Sequence, residues 1–241
     1  MNEKSLLALM YDFYNLHTLK GQNDDIDYYI NQIKKYNAKD VLVIGAGTGR
    51  VAIPLSKYSN VTALDFDKER LNRLKNKEKN INTICINFFD YTGQKKYDLI
   101  IIPYSTLQFD NDKKKLNKFF EKLNRIMNQN TIVIFDVSES FNTKKEKNKE
   151  FLFKDYCDEV DDDIEVYYSS KRSKNYIEFY VEYKLCKKNI SVVEHEKYYY
   201  YDEQLLFSVL ENNNFDILKI NDGYGKNDFK HKHLYHCKKK S

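Results

Sequence analysis

The chain has 241 residues, enough for one large domain or a domain with a modest embellishment, and its 41% hydrophobic and 15% aromatic content suffices for a core. With 40 basic and 36 acidic residues the net charge is only +4, which excludes a nucleic-acid partner argued from electrostatics alone. No apolar run approaches membrane length, the first residues lack a signal-peptide core, and Cys85, Cys157, Cys186 and Cys237 show no C-x-x-C spacing, so a reducing cytoplasm is the expected setting.

In chain order, apolar residues at Leu6, Leu9, Met10, Phe13 and Leu16 predict an N-terminal helix within 5–20, and a second helix is expected over 24–36. Val41-Leu42-Val43-Ile44 then reads as a buried parallel strand that runs straight into Gly45, Gly47 and Gly49. Three of the chain's seven glycines thus fall within five positions, where the backbone takes left-handed angles or approaches a ligand closely. The dinucleotide fingerprint G-x-G-x-x-G would need a small residue where Arg50 stands; the third glycine comes one residue early, giving G-x-G-x-G. A helix should follow this loop, kinked at Pro54.

Residues 61–65 read as a second strand that ends in Asp65, 20 residues after Gly45, a distance that suits an acid binding both hydroxyls of a ribose. Asp67 already serves as N-cap of a helix over 68–79, which leaves Asp65 for another task, and Phe66 between them could cover an adenine. A third strand into a polar turn is expected over 84–91, a fourth strand and irregular loop over 97–109, and a fifth strand over 131–137. This alternation predicts an α/β fold with a doubly wound, mostly parallel sheet.

After Ser140 the pattern changes: a lysine-rich segment precedes period-two stretches over 164–172, 176–187 and 190–201, separated at Lys174-Asn175 and Lys188-Asn189. They predict an antiparallel unit added to the sheet. Asp202 should cap a helix through Leu210, with final strands over 215–221 and 231–238.

Between residues 41 and 109 these segments resemble the class I S-adenosylmethionine (SAM)-dependent methyltransferases, and Gly47-Thr48-Gly49-Arg50-Val51-Ala52-Ile53-Pro54-Leu55 is similar to a small-molecule branch of that superfamily. The resemblance implies a Rossmann-like seven-stranded sheet with an antiparallel insertion between the fifth and sixth strands, which covers the active site or mediates dimerisation. The expected domains are a helical lid at 1–40, a SAM-binding core at 41–140, the insertion at 141–200 and a core-completing segment at 201–241. By resemblance, Gly45 and Gly47 lie along the methionine part of SAM, Ala46 and Arg50 also belong to the cofactor-binding set, Asp65 binds the ribose, and Phe66 and Phe88 flank the adenine. Asn87 holds a position usually occupied by Asp and can still accept through its carbonyl oxygen. Pro103 would turn its carbonyl to the cofactor's amine, Tyr104, Ser105 and Gln108 would line the acceptor side, with Gln108 also counted among the cofactor-binding residues, and Tyr11 and Tyr14 sit in a segment that folds over the cofactor.

Methyl transfer is an in-line displacement on an activated carbon, so the protein mainly positions and desolvates the acceptor. Tyr14, Tyr104 and Asp136 are the candidate catalytic residues, with His17 and His195 as further candidate bases. The acceptor is expected to be a small molecule or short peptide, methylated at an amine nitrogen or, alternatively, at oxygen. A nucleic-acid amino-methyltransferase is the second reading: Ile101-Ile102-Pro103-Tyr104 is reminiscent of its D/N-P-P-Y motif but lacks the polar first residue, and no basic domain is appended. A non-catalytic scaffold is the third, against which stand the retained glycines and Asp65. His231 and His233 share a strand face, but no other ligand converges on them in sequence, and no metal site is expected.

Overall fold

The computed structural model describes every residue except Gly21, Asn111, the segment 226–231 and Ser241. The helices α1 (Glu3–Thr18) and α2 (Asp24–Tyr36) lead into strand β1 (Asp40–Ile44). Alternation then follows through α3 (Ala52–Leu55), β2 (Asn60–Asp65), α4 (Lys68–Lys77), β3 (Asn82–Cys85), β4 (Tyr97–Ile102), α5 (Lys113–Arg125) and β5 (Met127–Ser138). A single turn, α6 (Ser140–Thr143), precedes β6 (Lys147–Cys157), β7 (Asp162–Arg172), β8 (Tyr176–Leu185) and β9 (Ile190–Tyr199). The chain closes with α7 (Glu203–Asn212), β10 (Phe215–Asp222) and β11 (Lys232–Lys239).

Two compact units result: residues 22–140 with 201–241, and residues 1–21 with 141–200. The first is built on a seven-stranded sheet in the order β10-β11-β5-β4-β1-β2-β3. All its neighbours pair in parallel except β11, which is antiparallel to β5 and to β10. Because the central strands are buried on both faces, they read as continuous Val, Ile and Leu runs. Alternate residues feed two cores. Val41, Val43, Leu99 and Ile101 pack with Tyr29, Ile33, Leu55 and Leu74 from α2, α3 and α4. Leu42, Ile44, Ile100 and Ile102 pack with Phe120, Leu123, Val209 and Leu210 from α5 and α7.

The second unit is a four-stranded antiparallel sheet, β6-β7-β8-β9, with α1 on one face. Alternation is strict on β8, where Ile177, Phe179, Val181, Tyr183 and Leu185 are buried and their neighbours are not.

Four expectations change. The antiparallel strands form their own sheet and do not extend the parallel one. A fourth strand, β6, begins inside the lysine-rich segment; it is an edge strand with little buried surface, so its residues carry no alternation to read. The helices expected together as a lid at 1–40 divide, since α2 buries Tyr29 and Ile33 in the core of the first unit. The helix after the glycine loop is one turn, with Pro54 inside it, and the chain re-enters the sheet at Asn60.

On β11, His236 is buried beneath α2, with Tyr28 Oη 2.6 Å from its Nε2. Burial, with Lys219 and Lys35 nearby, lowers its pKa from 6.5 to about 4. The folded chain therefore resists a proton that the unfolded chain accepts. Stability should be full above about pH 6.5 and fall as the pH drops towards about 4, by about 3 kcal/mol from this residue. Urea denaturation across that range should show His236→Gln with a flatter profile than the parent.

Candidate active site

At the carboxyl ends of β1 and β2 the chain builds a cradle from backbone. The N–H groups of Gly45 and Ala46 both donate to Leu64 O, at 2.9 and 3.1 Å, turning the chain sharply out of β1. Gly45 has φ +74°, and a Cβ there would lie 2.8 Å from Thr106 Oγ1, so this position is closed to a side chain. Gly47, at φ +53°, is different: a Cβ would meet nothing within 4 Å. Its missing side chain leaves main chain bare towards open space, as close approach of a ligand requires.

Asp65 ties this loop to β2. Its Oδ2 accepts the Gly47 N–H at 2.7 Å and its Oδ1 accepts the Asp67 N–H at 2.9 Å. The carboxylate is 7% exposed; burial raises its pKa, and these two N–H bonds oppose the rise. Each oxygen keeps a further lone pair. Phe66 follows with its ring 75% exposed, while Asp67 caps α4 by accepting from Glu69 and Arg70 N–H. Ile86 N–H donates to Asp65 O at 2.9 Å and brings the exposed Asn87 alongside. Asn87 Oδ1 accepts the Phe89 N–H at 3.0 Å.

The loop after β4 is strained. Tyr104 and Ser105 have φ of +60° and +58°, two consecutive non-glycine residues in the left-handed region. What holds them comes from distant elements. Ser105 N–H donates to Asp136 Oδ2 at 3.1 Å, and Lys232 of β11 pairs with that same oxygen. Lys232 Nζ lies 4.7 Å and Arg50 Cζ 5.2 Å from the Tyr104 ring centroid. Arg50 in turn forms a two-pronged ion pair with Asp25 of α2, whose carboxylate is 1% exposed. Two cations and two buried anions thus bracket one tyrosine at the strand ends.

Several residues with predicted roles have structural partners in this geometry. Phe88 turns inward: the residue is 6% exposed and its ring is 4.6 Å from Phe119, because the short 3₁₀ turn after Asn87 rotates it into the core. Arg50 is committed to Asp25 and supports the loop from behind. The Pro103 carbonyl accepts from Thr106 Oγ1 at 2.6 Å and from Thr106 N–H at 3.3 Å, which uses both its lone pairs. Gln108 is a buried clamp, donating to Ser138 O and accepting from Ser138 N–H. Asp136 is fully buried and paired with Lys232, and its Oδ2 anchors the loop through Ser105 N–H.

Tyr11 and Tyr14 lie on α1, in the other unit. There burial, then Glu196 and Glu194, raise the pKa of Tyr14. Of the further candidate bases, His17 bridges Phe13 O and Asp155, and His195 stacks on Tyr180 beside Glu178. His233 pairs with Asp222 and Glu139, while His231 lies outside the described residues.

Sequence reasoning missed Asp25 and Lys232. Asp25 looks like any first-turn helix acid, and Lys232 sits among other lysines and histidines; only the tertiary pairing singles them out. It also missed the hydroxyl of Thr48, which, like that of the expected loop residue Ser105, is buried and has no hydrogen-bond partner among the described residues. Such groups suit a crevice that receives a polar ligand.

Residues 41–149 match the family of the methyltransferase domain. A SAM-dependent methyltransferase from Clostridium acetobutylicum has the same fold, with a TM-score of 0.81 at 18% identity over 96% of this chain and 98% of that one. The sugar N-methyltransferase KedS8 from Streptoalloteichus gives a TM-score of 0.78 at 11% identity, covering 96% of this chain and 93% of its own. DesVI from Streptomyces venezuelae gives 0.75 at 11% identity, covering 93% of this chain and 95% of its own. In sequence, the ribosomal RNA small subunit methyltransferase A of Wigglesworthia glossinidia brevipalpis is 29% identical over 112 residues, which are 44% of this chain and 42% of that protein's length.

The two loop glycines should separate folding from binding. Gly47→Ala should cost about 1 kcal/mol, the left-handed backbone penalty, yet lose most affinity for S-adenosylhomocysteine. Gly45→Ala should cost more in stability because its Cβ strikes Thr106. Urea denaturation and ligand titration of both variants check this.

Proposed function

From a methyltransferase domain at residues 41–149, set in the fold of the class I SAM-dependent methyltransferases, we propose that this chain methylates a small-molecule acceptor at an amine nitrogen. The observation that carries the cofactor half is the Asp65 carboxylate, buried at the end of β2 and held by the Gly47 and Asp67 N–H groups with lone pairs remaining.

The residues fit SAM. Asp65 would accept from the ribose hydroxyls, Phe66 would cover the adenine, Asn87 would meet the adenine edge, and Gly45, Ala46 and Gly47 would run along the methionine tail. Bound SAM supplies a methyl group on a sulfonium, ready for in-line displacement by a nucleophile. The chain's own contribution is then position and dryness. Tyr104 stands at the strand ends in a fixed conformation, and the Asp136–Lys232 and Asp25–Arg50 pairs keep it there. No side chain in this bracket is a free base, which agrees with an acceptor amine made neutral by desolvation. Tyr11 and Tyr14 are proposed to close over the cofactor, as the resemblance implies.

Small-molecule N-methylation draws on KedS8, named as a sugar N-methyltransferase, whose fold this chain shares along nearly its whole length. The likeness to a ribosomal RNA enzyme favours an RNA acceptor as the second reading. Against it stand a net charge of only +4 and an isoleucine, Ile101, where an amino-group ligand would be needed.

Calorimetry should show SAM and S-adenosylhomocysteine binding in the micromolar range, weakened by about 1–3 kcal/mol in Asp65→Ala, the cost of stranded hydrogen-bond partners. Mass spectrometry of a panel of amines, alcohols and a short RNA incubated with SAM should then find the methyl group on an amine. Methylated RNA alone would move the second reading to first.

A further inference from the structure

In the unit formed by residues 1–21 and 141–200, α1 lies on the antiparallel sheet through Leu6, Leu9, Met10 and Phe13, an apolar contact. Past Phe13 the helix has one more turn, and there the contact becomes polar. His17 Nδ1 lies 2.7 Å from Phe13 O, and its Nε2 lies 2.8 Å from Asp155 Oδ2 on the edge strand β6. The ring stacks on Phe153 of the same strand, with centroids 4.5 Å apart and planes 18° apart. On its other side the Phe13 ring centroid is 4.6 Å away.

Both ring nitrogens therefore face an oxygen that accepts and cannot donate. A neutral imidazole carries one N–H and serves one of the two; at the other, a lone pair would meet an oxygen at hydrogen-bond distance. The imidazolium, with two N–H groups, serves both. The surroundings favour the same form: a helix C-terminus attracts positive charge, and aromatic faces accept a cation. Asp155 Oδ1 takes the Tyr156 N–H at 2.8 Å. The His17 bond, followed by this one, holds the Asp155 carboxyl below its ordinary value, so it remains an anion well into the acid range. The other charges nearby are Lys20, beside Asp155, and Glu194 and Glu196 of β9, which act on Tyr14 three residues back on α1. On β7 the residue opposite Asp155 is the apolar Ile164.

We propose that His17 is a proton-dependent clasp: as imidazolium it ties the last turn of α1 to β6, and on losing a proton it keeps only one of its two bonds. The clasp is complete while the ring is charged and is lost as the pH rises through the ring's titration. Sequence alone does not show it, because Phe13 and His17 are 138 or more positions from Asp155. The clasp lies wholly within one unit and needs no cofactor. Its consequence for Tyr11 and Tyr14, which α1 carries, rests on the reading above in which this helix closes over SAM: closure is then favoured on the acid side.

Two NMR measurements on the whole chain without cofactor test this between about pH 5 and about pH 9: long-range proton–nitrogen spectra of the His17 ring, and hydrogen exchange of the Leu19 amide, which closes α1 by donating to Asn15 O. Both ring nitrogens should carry protons wherever the turn is protected. One proton should leave in the same step in which protection, corrected for intrinsic exchange, falls by about threefold, the scale of a partly exposed ion pair. His17→Gln should show no such step, and Asp155→Asn should move it to lower pH. Should His17→Gln fail to fold, Asp155→Asn decides alone. A ring with one bare nitrogen while the turn is fully protected, protection that falls in His17→Gln as it does in the parent, or a step that Asp155→Asn leaves in place overturns the proposal. Calorimetry with S-adenosylhomocysteine keeps the readings apart: failure to bind it sinks the cofactor assignment and leaves the clasp to the NMR result.

Discussion

A carboxylate held by amides is the constraint on which the site depends. Asp65 is buried at the end of β2, and its two oxygens are met by backbone N–H groups of Gly47 and Asp67. Burial alone would favour its neutral form, and the two N–H bonds hold it as an acceptor. One bond reaches back to the glycine loop and the other forward to the start of α4, so a single side chain fixes both walls of the crevice. A salt bridge in the same place would have consumed the charge. Amide donors leave it available, directed out of the carboxyl ends of a parallel sheet where such folds bind ligands.

A second layer of electrostatics acts from behind. The pairs Asp25–Arg50 and Asp136–Lys232 are buried, mutually neutralising, and drawn from α2, the glycine loop, β5 and β11. Buried ion pairs add little net stability, but removing one partner leaves an expensive lone charge. Their consequence is therefore positional: they hold Tyr104 and Ser105 in left-handed backbone conformations that a loop of ordinary residues would relax. Strain at the strand ends and charge behind it form one device, assembled from residues more than a hundred positions apart.

The parts legible in the sequence were those written locally. The run from Val41 into Gly45, the acid closing β2 and the N-cap at Asp67 each depend on near neighbours, and all stand in the structure where their spacing puts them. Asp136, Gln108, Pro103 and Arg50 have partners that were not legible, for a common reason. Each is a polar group whose partner comes from another segment, and sequence shows the donor or acceptor without showing what already satisfies it. The burial of Phe88 was not legible because a 3₁₀ turn breaks strand alternation there. Strand β6 was missed because an exposed edge strand needs no alternating pattern.

A crystal structure of the chain with S-adenosylhomocysteine tests the central claim most directly. The account predicts ribose hydroxyls on the Asp65 carboxylate, the adenine against Phe66, and the homocysteine tail across Gly47, with the Asp136–Lys232 pair unmoved. A ligand bound elsewhere, or bound here with Asp65 contacting only Gly47 and Asp67, would contradict it.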